Sequence, residues 1–145
     1  MFFRKFFLFI KELKTTVSFM RKLKLPGRTK NMPRLNEHDY RLIKENGIRE
    51  IKEQARDIVN LKLREVPEND GKQTPKAGNP IYKAMHACHS ASRRGLSLTH
   101  RVPRERDMTE EEVEAVVNLL TRWIAREYNF YRSEEDRQRD LGEFK

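Results

Sequence analysis

Cysteine is nearly absent: Cys88 stands alone in 145 residues, so no internal disulfide can form and nothing points to an oxidising compartment. Long apolar runs are also missing. Arg4, Lys5, Lys11 and Glu12 interrupt the phenylalanine-rich start, leaving no stretch near the ~20 residues of a transmembrane helix. The unbroken run Phe6 to Ile10 is likewise shorter than the ~7 to 15 apolar residues of a secretion signal. A cytoplasmic protein is the default expectation. The third scarcity is local. Between Gly71 and Arg104 there is no Asp or Glu in 34 residues, although the chain holds 22 acidic residues.

What is present divides unevenly. Residues 1 to 30 carry nine Lys or Arg and one Glu, which leaves 22 basic and 21 acidic residues for the remainder. The net charge of +9 is therefore mostly a property of the leader, and says little about the partner of the domain behind it. Within the leader, Phe3, Phe6, Ile10, Leu13, Val17 and Met20 recur at steps of three and four, the spacing of an amphipathic helix. Residues 1 to 24 are thus a candidate for an anionic membrane surface or a partner protein, or for packing on the domain itself. Leu25 to Asn31 has the Pro, Gly and solvated basic residues of a linker, and Met32 opens a second plausible start.

Helical signals follow in order. Asn36 suits an N-cap and Gly47 a C-terminal stop, which predicts a short helix over Glu37 to Asn46. Ile48, Ile51, Ala55, Ile58 and Val59 then repeat at helical spacing to about Glu65. Residues 67 to 80, PENDGKQTPKAGNP, contain three Pro, two Gly and two Asn and predict a long ordered loop. Its GKQT is not a phosphate loop, because Val66 stands where the required first glycine would be. Thr109 with Glu112 forms a capping box, opening a last helix whose buried stripe is Val113, Val116, Val117, Leu120, Ile124 and Tyr128, with Trp123 beside it.

A third main helix is expected from Pro80. Turning 100° per residue puts Ile81, Ala84, Met85, Cys88, Ala91 and Ser92 on one side and Tyr82, His86, His89 and Arg93 on the other. Cys88 then belongs to the core and cannot share a metal with the histidines. Two histidines alone fall short of the three or four ligands of a zinc site, so neither metal nor cofactor is expected. The acid-free window holds seven cations, Lys72, Lys76, Lys83, Arg93, Arg94, Arg101 and Arg104. A solvated face mixes both signs, whereas a face that meets phosphate excludes carboxylates. The candidate ligand-binding set is Lys72, Lys76, Tyr82, His86, His89, Arg93, Arg94, His100, Arg101 and Arg104, with Tyr82 available for base stacking. The competing explanation is charge complementarity with Glu110 to Glu114 and the acidic tail.

NDGKQTPKAGNPIYKAMHA, followed by Arg93, His100, Pro103 and MTEEEVEAVVNLLTRWI, resembles an uncharacterised prokaryotic family of small proteins, a domain of unknown function. The resemblance runs from about His38 to Tyr128. It implies a domain beginning near Met32, and points to the loop, His86, Arg93 and His100 as shared positions. It also implies cysteines in relatives where this chain has Ala91, Ser92 and Gly95, and a tryptophan at Thr99.

The expectation is a small all-α domain over residues 32–132, of three main helices and one short one. The basic leader and linker, 1–31, precede it, and a charged flexible tail, 133–145, follows. Its expected role is binding of nucleic acid or another phosphorylated ligand. The alternatives are a hydrolase-type enzyme using His86 or His100 as acid or base, and a membrane-surface or partner-docking protein acting through its leader.

Overall fold

The computed structural model describes residues 23–143, so the expected leader helix falls almost wholly outside the described residues. Among these there are five α-helices and no strand: α1 (Glu37–Asn46), α2 (Ile48–Lys62), α3 (Pro80–Ala87), α4 (Arg93–His100) and α5 (Glu110–Glu143). The all-α expectation is met, with one helix more and the ends of α3 and α5 moved.

Local chemistry accounts for most of the helix ends. Asn36 accepts from the amide of Asp39 at 2.9 Å while Asp39 accepts from the amide of Asn36 at 3.1 Å, a reciprocal capping box. Gly47, at φ 81°, ends α1 and starts α2 in one step, a backbone setting that glycine adopts without strain. At α5 the hydroxyl of Thr109 accepts from the Glu112 amide and the Glu112 carboxylate accepts from the Thr109 amide. Helix α5 continues through Ser133 to Glu143, so residues 133–143 of the expected tail are helical backbone.

The core forms where α2 and α3 pack on α5. Ile51, Ala55, Val59 and Leu63 meet Ile81, Met85 and the α5 stripe Val113, Val116, Val117, Leu120 and Ile124 around a fully buried Trp123. Each large apolar side chain so buried contributes about 1.5–3 kcal/mol. Ile48, expected on the buried stripe of α2, is instead 43% exposed at its first turn. Cys88 is fully buried, and burial pushes its thiol up to about 12. It is a core residue, as its helical position suggested.

Two polar clamps hold the periphery. Lys83, inside the acid-free window, is buried and ion-paired with Asp39 of α1, and donates to the Arg34 carbonyl at 3.0 Å. The segment before α1 is exposed over residues 27–31 but is fastened to the fold at several points. Leu23 and Leu25 pack on the core, while Arg122 and Arg126 each donate at 2.6 Å to the carbonyls of Leu23 and Pro26. Arg28 reaches the buried Glu127 carboxylate at 2.9 Å and lies 3.9 Å over the Phe130 ring. The basic residue expected in water thus neutralises a buried acid, which is why this stretch holds to α5 as a strap.

Candidate functional site

The acid-free window folds into the loop before α3, helices α3 and α4, and the segment leading to α5. The predicted stripe of Tyr82, His86, His89 and Arg93 does not form, because α3 ends at Ala87. His89 takes a left-handed φ of 56°, uncommon for a residue with a side chain. The Ser90 amide and hydroxyl both donate to the Met85 carbonyl, at 2.8 and 3.2 Å, and the chain restarts as α4 from the Ser92 cap. Gly95 lies inside α4. A β-carbon there would sit 2.7 Å from the His89 carbonyl oxygen, so the glycine permits close approach of α4 to the turn.

Arg93 moves from the binding set to the interior. Its side chain is 1% exposed. One guanidinium nitrogen donates to the carbonyls of Leu63 and Arg64 at 3.0 and 3.1 Å, and the other to those of Pro103, at 2.6 Å, and Arg106. Burial lowers its pKa, opposed by the charges of Glu112, Asp107 and Asp70. The planar fork of arginine suits this task of satisfying the carbonyls of two separate segments.

The histidines are anchored to backbone as well. His86 places Nε2 3.1 Å from the Thr74 carbonyl oxygen, and His100 places Nε2 2.7 Å from that of Cys88. A ring nitrogen facing a carbonyl must carry a proton, so both rings are fixed as donors through Nε2 and neither can use that atom as a base. His86 and His100 are half-buried, and Tyr82 is half-buried with the Lys62 ammonium 5.9 Å from its ring centre.

The NDGKQTP loop is a clip. Asp70 accepts the backbone amides of Arg93 and Arg94 at 2.9 and 2.8 Å, one on each oxygen, and the side-chain Nε2 of Gln73 at 2.7 Å. Gly71 donates to Gln73, Thr74 to the Ala91 carbonyl at 2.9 Å, and Lys62 to the Gln73 carbonyl at 2.8 Å. Burial raises the pKa of Asp70, but these hydrogen bonds and the nearby Arg104 charge outweigh it and hold the carboxyl below its usual range. The sequence reading missed Asp70, which lies one residue before the acid-free window. No local signal marks it, because the helix it caps begins 23 residues further along the chain.

Six members of the candidate set remain on the surface: Lys72, Lys76, His89, Arg94, Arg101 and Arg104. Three of the acids expected to neutralise them are engaged elsewhere. Glu110 pairs with Arg64, Glu112 with Arg106 and Glu114 with Arg56, each at 2.6 Å. Among the described residues no group of three or more His, Cys, Asp or Glu side chains is placed to hold a metal.

Comparison with known families decides the relationship. A family model described as a domain of unknown function, DUF4186, matches residues 18–125. The chain belongs to the DUF4186 family. No solved structure matches it. The DUF4186 match contains the strap, α1 to α4 and α5 as far as Ala125. It begins upstream of Met32, and upstream of that residue Leu23 and Leu25 pack on the core while Arg28 pairs with Glu127 of α5. No helix among the described residues is long and apolar enough to cross a membrane.

Proposed function

We propose that this DUF4186 protein binds nucleic acid, through the exposed cations of the loop before α3, of α4 and of the segment after it. One observation supports this reading most. Lys72, Lys76, Arg94, Arg101 and Arg104 are exposed and make no ion pair among the described residues, while Glu110, Glu112 and Glu114 of α5 are paired with Arg64, Arg106 and Arg56, all outside the acid-free window. Among the described residues, charge complementarity within the fold therefore leaves the window's surface cations unpaired. Their role is electrostatic positioning on phosphates, which is insensitive to base sequence. A cytoplasmic location goes with such a ligand.

The hydrolase-type alternative has less support. It needs His86 or His100 as acid or base, and in each the Nε2 atom is held by a backbone carbonyl. Fluorescence anisotropy with labelled random-sequence oligonucleotides tests the binding reading. If about five phosphates are neutralised, affinity should fall about 10²- to 10³-fold between 50 and 200 mM salt. Absence of binding at low salt would overturn the proposal.

A further inference from the structure

Helix α4 carries the pattern that narrows the ligand further. Arg94, Leu98 and Arg101 stand four and three residues apart, so their backbone positions fall within about 60° of one another around the axis. All three are exposed, and Leu98 is 73% accessible, an apolar side chain left in water between two unpaired arginines. The two arginines are separated by about 10 Å along the helix. Arg101 closes it in a left-handed conformation, φ 58° and ψ 31°.

This edge does not suit an isolated phosphate. The amides at the start of α4, where a single phosphate would otherwise settle, already hold the two oxygens of Asp70. An isolated phosphate there would be left with flexible arginine side chains alone, whereas a polynucleotide strand offers a charge every ~3.4 Å of axis to arginines whose backbone positions lie about 10 Å apart, with apolar sugar and base surface between charges. An anionic membrane fits less well. An interfacial helix needs a continuous apolar face, and the exposed edge of α4 has Leu98 with polar Arg94, Thr99 and Arg101 around it.

We infer that α4 lies along a polynucleotide, with Arg94 and Arg101 on separate phosphates of the same strand and Leu98 against the sugar or base between them. This rests on the nucleic-acid reading above and specifies its ligand as a polymer. The contact differs from purely electrostatic binding because Leu98 contributes a component that salt does not screen.

The full chain, with Arg94→Gln, Arg101→Asn and Leu98→Ser as separate variants, tests this against a labelled 16-nucleotide strand over a salt series. Asparagine is chosen at position 101 because it tolerates the left-handed backbone, and circular dichroism checks that each variant keeps its helix content. Each arginine variant should reduce the slope of log affinity against log salt by about 0.7. Leu98→Ser should weaken binding about 3- to 10-fold at every salt concentration, with the slope unchanged. Unlabelled 16-mer should compete, while a mononucleotide or inorganic phosphate at equal nucleotide concentration should not.

Binding that all three variants leave intact, or that a mononucleotide displaces, would overturn the α4 contact while leaving nucleic-acid binding standing. Failure of every oligonucleotide to bind would remove both. Tighter binding to vesicles of anionic phospholipid than to the strand, lost in Leu98→Ser, would overturn the polynucleotide in favour of a membrane.

Discussion

Asp70 and Arg93 hold α4 from opposite directions: the Asp70 carboxylate accepts the Arg93 backbone amide at 2.9 Å, while the Arg93 side chain runs inward to four backbone carbonyls. One residue is thus fastened by both its main chain and its side chain. That double attachment places Arg94 and the exposed edge of α4 relative to the core.

Asp70→Ala should remove two capping hydrogen bonds and the Gln73 contact, at a cost of about 1–2 kcal/mol. Asp70→Asn keeps one carbonyl oxygen for capping and should cost about half as much. Urea unfolding would read this as a lower midpoint with an unchanged slope. If α4 owes its start to Ser92 alone, the alanine variant would unfold like the parent.

Acid should weaken the fold in a defined window. Asp70, Glu112 and Glu114 all have lowered carboxyl pKa values. For Glu112 burial pushes upward and the Arg106 and Thr109 hydrogen bonds prevail; for Glu114 the Arg56 hydrogen bond is the largest influence. A group more acidic when folded stabilises the fold fully above its unfolded pKa, about 4, and loses that contribution as pH falls through the lower folded value. Melting temperature should therefore be level from pH 7 to about 5 and decline below about 4. Asp70→Asn should decline less steeply over the same range.

Arg93 and Arg94 are adjacent in sequence and opposite in role. Arg93→Met keeps much of the length of the side chain but leaves the carbonyls of Leu63, Arg64, Pro103 and Arg106 without its donors. At about 1–3 kcal/mol for each buried polar group left unpaired, the loss should exceed about 3 kcal/mol. Arg93→Lys should recover only part of this, since an ammonium lacks the planar fork. Arg94→Glu, at an exposed position, should change stability by less than about 0.5 kcal/mol while weakening oligonucleotide binding. Chemical denaturation and anisotropy on the same samples separate the two effects.

The parts of the fold legible in the sequence are those whose causes are local. Helix α1 ends where Asn36 and Gly47 indicate, and α5 starts where Thr109 and Glu112 indicate, because each signal acts within one turn of the chain. The end of α3 has a non-local cause. No Pro or Gly stops it at Ala87. The chain turns because His100 reaches the Cys88 carbonyl, Thr74 reaches Ala91 and Asp70 reaches Arg93, contacts that span from 12 to 23 residues of sequence. The inward turn of Arg93 was hidden for a related reason. Composition counts a buried arginine and a surface one alike, so the absence of acids from 71–104 marked a real peculiarity without saying which cations face solvent.

The strap over residues 23–32 makes a last prediction that opposes a start at Met32. A protein beginning there would lose the packing of Leu23 and Leu25 on the core. It would also lose the Arg28 guanidinium from Glu127, a residue 3% exposed. Arg126 remains within 3.2 Å of that carboxylate, so the acid keeps one cation and the loss is not that of an orphaned buried charge. Partial burial of two leucines and one charge-assisted contact together suggest about 3 kcal/mol. Compared with the full chain, a protein comprising residues 32–145 should therefore melt at a lower temperature yet keep its helix content. The substitution Arg28→Ala, made in the full chain, isolates the charged part and should account for less than half of the difference. Equal melting temperatures for the full and shortened proteins would mean that the strap lies on α5 without supporting it, and the domain would then begin in energetic terms at Met32 after all.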